Sequence, residues 1–470
     1  MSKSDLPVAS DPQDRAVVPQ PPAARRLERL LTGPIAPMLA RLAAPNVAVA
    51  TALTLVTIAD AWFVGQVGTL ALASLALVFP LQALMQMMSA GAMGGGVSSA
   101  VARALGASRP DRAQAVLLHA LVIAVAMALL YVVIGAGLAR PLFTLLGARG
   151  EVLEGAVDYA QIAFGGAVAM WLANTFASTF RGTGDMTTPA VVLIATSAIQ
   201  IGLSGALTLG WGPFPALGLR GPAIALVAAF SLAALTLWAS LALGRAGFRP
   251  SLRGLPLQSE LFRDILKVGA IACGNAFLTI ATVLIVTRLV AAQGPAALAG
   301  YGLGSRLELM LVPLAFGVGG ALTASVGANF GAKHYVRARR IAWAGGLFTG
   351  VVAAAVGVTA ALWPSLWLSL FTTDPSAYAA GALYLAIVGP FYGFFGLGMA
   401  LYFASQGTGR MVWPLSAGVL RFAVTAGGGA LAVGVFAAGT TVVFVLVAVG
   451  LVCFGGLLAA SLFSSVWRSS

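Results

Sequence analysis

Twelve stretches of about twenty apolar residues follow one another along this chain, near 37–60, 70–99, 115–138, 155–180, 187–210, 221–244, 265–290, 296–326, 341–363, 378–404, 412–436 and 440–465. A hydrocarbon core of about 30 Å demands that length of a helix, because backbone N–H and C=O groups in lipid must find partners within their own segment. The pattern therefore predicts an all-α membrane protein of twelve transmembrane helices. With only 9% charged residues and a mean hydropathy of +0.95, against about 25% charge in soluble domains, the chain leaves a soluble fold no polar surface to work with.

The net charge of +13 would suit a nucleic-acid partner only if the cations formed one patch or stripe. They alternate between loops instead. Arg25, Arg26 and Arg29 precede span 1; Arg103, Arg109 and Arg112 follow span 2; Arg245, Arg249, Arg253, Arg263 and Lys267 surround the start of span 7; Lys333, Arg337, Arg339 and Arg340 follow span 8. The opposite loops hold Arg140, Arg149 and Arg220. By the positive-inside rule both termini are expected in the cytoplasm, and no nucleic-acid partner is expected. Residues 1–28 are polar and Pro-rich and read as a disordered cytoplasmic tail, not a cleaved signal peptide. Cys273 and Cys453 both fall in mid-span and read as packing residues, and no metal-ligand spacing is present.

The chain repeats itself. RGTGDMTTP at 181–189 recurs as QGTGRMVWP at 406–414, and ALGASRPDRA from Ala104 is echoed by NFGAKHYVRA from Asn329; 406 − 181 and 329 − 104 both give 225. A half of that length holds six spans, and an even number returns the second half to the same side of the membrane. Parallel repeats of this kind are related by an axis along the membrane normal, with a cleft between them in which a transporter would place its substrate. The expected lobes are 29–250 and 251–470. The glycines of the repeated motif suit a turn and Pro189 and Pro414 the first turn of the next helix, so both copies read as hinge elements without chemistry.

Asp60 and Glu308 lie inside long apolar segments. A charge at membrane depth costs roughly 2.5–3.5 kcal/mol, so each needs a reason to be there. Both are candidate ion-coupling groups. For Glu308 a structural pairing with an Arg of another helix is an equal alternative; Arg306, two residues away, does not share its helix face. Met85, Met87, Met88 and Met93 on span 2, with Phe391, Tyr392, Phe394 and Phe395 on span 10, are candidates for a soft wall against flat lipophilic cations. Pro313 and Pro390 are candidate hinges. His119 reads as a hydrogen-bonded packing residue. Walker, HExxH and GxSxG patterns are absent, so ATP-driven pumping and intramembrane hydrolysis lack their chemistry.

ADAWFVGQVGTLALASLAL, GAMGGGVSSAVARALGA, RGTGDMTTPA, SRLELMLVPLAFGVGGALTASVGANFGA and QGTGRMVWP, in this order and spacing, resemble the multidrug and toxic compound extrusion (MATE) transporters over nearly everything after residue 35. SRLE at 305–308 looks more like the DinF-like than the NorM-like branch. The resemblance implies a V-shaped bundle of two six-helix lobes in a bacterial inner membrane, a secondary transporter and not an enzyme, exchanging lipophilic, often cationic, compounds for protons or sodium. It places the family aspartate of span 1 on Asp60. The span 5 aspartate falls at Ser204, its neighbouring asparagine at Gln200, the span 7 glutamate at Thr279 and the span 10 aspartate at Phe395. With one acid per lobe, protons are favoured over sodium, which prefers several oxygens. No cofactor is implied; the expected partners are small-molecule substrates, protons and membrane lipids, with the chain acting as a monomer. The alternative, a lipid-linked oligosaccharide or lipid flippase, would line its cavity with many cations, whereas only Arg288, Arg306 and Arg421 stand out as intramembrane ones.

Overall fold

The structure, a computed structural model, describes residues 22–250 and 256–467. Among them every regular element is helical. Eleven helices are long and apolar enough to cross a membrane, and the pair Gly150–Gly165 and Ala167–Gly182, bent by 45°, makes the twelfth. In chain order the spans are 1 (Ile35–Val67), 2 (Thr69–Gly106), 3 (Pro110–Gly137), 4 (the bent pair), 5 (Thr187–Leu209), 6 (Arg220–Ala242), 7 (Ser259–Ala291), 8 (Pro295–Gly331), 9 (Tyr335–Leu362), 10 (Pro375–Thr408), 11 (Val412–Phe436) and 12 (Thr440–Ser461). Each contains one expected stretch or stops within four residues of its C-terminal end. The apolar side chains left exposed, such as Leu235, Phe277, Phe348 and Val351, need lipid and not water as their neighbour.

Residues 22–32 form a helix of their own, which corrects the disordered reading of 1–28 over its last part; residues 1–21 and Arg253 lie outside the described residues. This helix straps both lobes. Its Leu30 is buried and its carbonyl accepts from Asn329 Nδ2 at 2.8 Å, and Arg26 lies 3.4 Å from Asp185.

The spans break where the sequence supplies a cause. Span 8 is interrupted at Leu311, just before Pro313, and span 10 passes through a 3-10 turn, Gly389–Phe391, that contains Pro390. A proline lacks the N–H that would continue the ladder and crowds the preceding turn. Spans 2, 3 and 11 each carry a π-helical stretch, at Met87–Met93, Val132–Gly137 and Ala423–Gly427. In span 2 that stretch faces the space between the lobes.

The 225-residue repeat is visible in three dimensions. Spans 2 and 8 cross so closely that a Cβ on Gly106 would strike the Ala328 carbonyl, while one on Gly331 would strike the Arg103 carbonyl. Residues 106 and 331, and 103 and 328, are equivalent at the repeat offset, so a half-turn about the pseudo-twofold axis maps the crossing onto itself. Gly184 and Gly409, the second glycines of the repeated motif, take φ of +78° and +75°, a left-handed turn that side chains resist. The cores interlock at this end: Leu261 and Ile265 of span 7 join the first lobe's core, and Met38, Leu39 and Leu42 of span 1 join the second lobe's.

Candidate functional site

A cavity of about 790 Å³ lies between the lobes, within the range of sites that take whole small molecules. Along span 1 its wall runs from Asn46 to Ile58, about 18 Å of helix. Phe79, Phe230, Phe316 and Phe403 supply aromatic surface, with Phe316 and Phe403 edge to face at 5.1 Å. Thr51, Thr54 and Thr57 add little polarity, because each hydroxyl donates to the carbonyl four residues back. The wall is therefore apolar.

The floor is polar. It is built where the closed crossing of spans 2 and 8 meets the ends of spans 4 and 10. Asn174 Nδ2 donates to Gln86 Oε1 at 3.3 Å and to Ser89 Oγ at 2.9 Å. Gln406 Nε2 reaches across the lobes to the Gly91 carbonyl inside the π-helical stretch, at 3.3 Å. Ser98 Oγ and Gln406 Oε1 are buried without a partner. Arg181 completes the floor and is the one charged residue in the described lining. Its Nη1 lies 3.5 Å from Ser178 Oγ, and it joins none of the ion pairs among the described residues.

Arg181 and Gln406 are the first residues of the two motif copies, the segments read from sequence as turns without chemistry. That reading holds for the glycines and not for these two side chains. The signal was present: at equivalent positions both halves put a long polar side chain on the last turn of a membrane helix.

Asp60 lies two residues beyond the cavity wall and turns into the first lobe, where it is buried. Ser204 Oγ donates to its Oδ1 at 2.5 Å, so the aligned polar neighbour does touch it. Gln200, one helical turn before Ser204, is buried with Nε2 unpartnered. No cation pairs with Asp60 among the described residues. Glu308 is in the opposite situation. Arg421 Nη2 lies 3.5 Å from its Oε1 and Tyr384 donates to its Oε2 at 3.3 Å, while Arg306 is exposed. Thr279 donates to its own helix at Asn275.

The expected Met and aromatic wall is elsewhere. Met85, Met88, Phe391, Tyr392 and Phe395 do not line the cavity. Met85 is fully buried within the first lobe, Met88 accepts from the Tyr131 hydroxyl, Tyr392 donates to the Gly304 carbonyl, and Phe395 stacks on Arg421 at 5.7 Å. Of the four methionines of span 2, Met87 lines the cavity. At helical spacing from Phe79, Gln86 and Met87 share the cavity face while Met85 and Met88 turn away from it. Pro313 lines the cavity and Pro390 does not. His119 accepts from the Gln258 N–H at Nε2, so its Nδ1 donates to the Ala115 carbonyl, both at 2.7 Å.

Below the floor a polar latch closes the lobes. Ser99 Oγ donates to the Gln406 carbonyl at 2.5 Å and Arg103 Nη1 to the Gly407 carbonyl at 3.3 Å. Arg103 also pairs with Asp264 at 2.9 Å, which Lys267 holds at 2.7 Å. Sequence reading counted Arg103 and Lys267 only as loop charges.

A two-lobed helical bundle with an inter-lobe cavity, a latch beneath it and a lone buried acid beside it defines a secondary transporter, not an enzyme. The chain belongs to the MatE family, whose profile matches residues 45–204 and 271–426. It is 27% identical over 386 residues to the FAD transporter of Shewanella oneidensis, covering 80% of this chain and 82% of that one. It is 26% identical over 350 residues to the probable multidrug resistance protein YoeA of Bacillus subtilis, covering 74% and 75%. The crystal structure of MATE in the bent conformation superposes with a TM-score of 0.85 at 22% identity, over 95% of this chain and 100% of that one, a likeness of fold.

Proposed function

We propose that the chain exports lipophilic organic compounds by alternating access, releasing them from the central cavity in exchange for protons that bind Asp60. One observation carries this reading: Asp60 is buried with a serine hydroxyl as partner and, among the described residues, no countercharge. Such a carboxyl is neutralised by a proton, which is what coupling requires. Sodium is the less favoured ion, because a hard cation wants several oxygens and Asp60 has one hydroxyl beside it. One proton moved through 100 mV releases about 2.3 kcal/mol, enough for roughly fiftyfold accumulation. Glu308, held by Arg421 and Tyr384, acts in this reading as a structural ion pair of the second lobe.

The moving units are the lobes 29–250 and 251–470, which bend at the breaks near Pro313 and Pro390. With the basic loops and both termini in the cytoplasm of a bacterial cell, the latch lies at the inner face and the cavity opens outward. Substrate contact belongs to Met87 and the four cavity phenylalanines in place of Met85, Met88, Phe391, Tyr392 and Phe395. A flippase for lipid-linked oligosaccharide would need a dense set of cations here; the lining supplies Arg181 alone, and Arg288 and Arg306 are exposed. The similarity to an FAD transporter adds flavin nucleotides to the cargo worth testing.

The test is efflux of a panel of lipophilic dyes, of either charge and including flavins, from proteoliposomes under an imposed pH gradient, with and without sodium. Efflux that follows the pH gradient and ignores sodium is expected. Efflux that needs sodium and ignores the pH gradient would overturn the proton assignment.

A further inference from the structure

Arg181 sits where a charge is costly. Apolar and aromatic groups form the cavity walls, and no Asp, Glu or Lys is found in its described lining. Guanidinium has five N–H donors and no acceptor, yet among the described residues only Ser178 accepts one of them, at the long distance of 3.5 Å. Buried cations are normally paired and hydrogen-bonded. Helix position explains part of its tolerance, since it lies in the last turn of span 4, where the helix dipole favours a cation. It does not explain why the remaining donors face an open cavity. Beside it Ser98 Oγ is buried without a partner, a second donor. The equivalent residue of the other lobe, Gln406, is neutral, so nothing cancels the charge from across the axis.

From this we infer that the central cavity selects amphipathic organic anions, compounds with a flat apolar body and a carboxylate, sulfonate or phosphate group, with Arg181 as the substrate's countercharge. The aromatic wall of Phe79, Phe230, Phe316 and Phe403 receives the apolar body, and the floor receives the anionic group. Planar guanidinium offers parallel N–H donors that match such oxyanions in a bidentate way. A cationic compound meets the like charge of Arg181 in surroundings that screen it poorly. The inference rests on the export reading and narrows its cargo.

Two xanthene dyes of similar shape and opposite charge test it: carboxyfluorescein, an anion, and rhodamine 123, a cation. Wild-type protein in proteoliposomes is expected to move carboxyfluorescein faster under an imposed pH gradient. In Arg181→Gln, which copies the residue of the other repeat, the ratio of carboxyfluorescein to rhodamine 123 efflux is expected to fall by about tenfold or more, while Arg181→Lys keeps the wild-type order. A wild-type preference for rhodamine 123, or a ratio unchanged by Arg181→Gln in protein whose melting temperature is intact, would overturn the inference and leave the export reading standing. If neither dye is moved, it is the export reading that fails. Fluorescence polarisation of the same dyes on purified protein then decides the inference: tighter binding of carboxyfluorescein, lost in Arg181→Gln, upholds it, and equal binding of both dyes refutes it.

Discussion

The two lobes repeat one backbone and keep opposite company around their acids. In the first, Asp60 reaches Ser204 and no cation; in the second, Glu308 is shared between Arg421 and Tyr384, with Phe395 and Phe454 each 5.7 Å from the Arg421 guanidinium. Position 285, one repeat on from Asp60, is isoleucine. The tyrosines at 159 and 384 are equivalent and both fully buried, yet Tyr159 donates to the neutral Gln82 and Tyr384 to Glu308. A buried ion pair is satisfied in the state in which it forms, and a buried acid with a hydroxyl neighbour stays open to a proton. The duplication supplied the frame, and divergence of a few side chains gave the acids of its halves different partners.

The largest expected effect breaks the second lobe's pair from one side. Arg421→Ala leaves Glu308 buried without its cation and should cost about 3–5 kcal/mol, read as a lower melting temperature in detergent. The double variant Arg421→Met, Glu308→Gln should recover most of that stability. Equal losses in single and double variants would refute the pairing. Next, Gly106→Ala and Gly331→Ala test the repeat itself, because each places a Cβ against a carbonyl of the opposite lobe. Each should destabilise the closed crossing by about 1–3 kcal/mol, seen as increased labelling of a cysteine placed below the cavity floor. Similar labelling in the two variants supports the symmetric crossing, and an effect of only one of them argues against it. Of similar size, Asp264→Asn takes the countercharge from Arg103, Arg112 and Lys267 and should weaken the latch by about 1.5–3 kcal/mol, raising labelling at the same cysteine. Unchanged labelling would remove Arg103 and Asp264 from the closing contacts.

The twelve spans and the repeat could be read from the chain because each is local. Lipid imposes the length of a helix, and the motif copies sit at one fixed offset. Asp60 was legible as a carboxyl that apolar neighbours make conspicuous, and its contact with Ser204 followed from resemblance, not from spacing. The cavity wall was not legible. Which face of span 2 meets the cleft is decided by how the two lobes pack, a long-range matter: the face that carries Phe79 and Met87 meets it and the face of Met85 and Met88 does not. Arg181 was hidden for another reason: it opens a glycine-rich turn motif, and a charge at a helix end ordinarily belongs to the surface.

Asp60 and Glu308 compared side by side, as Asp60→Asn and Glu308→Gln in dye-loaded proteoliposomes under an imposed pH gradient, test the division between the lobes most directly. Loss of pH-driven efflux in Asp60→Asn, with efflux retained in Glu308→Gln, is the expected result. Retained efflux in Asp60→Asn, or its loss in a well-folded Glu308→Gln, would move proton coupling out of the first lobe and contradict the assignment.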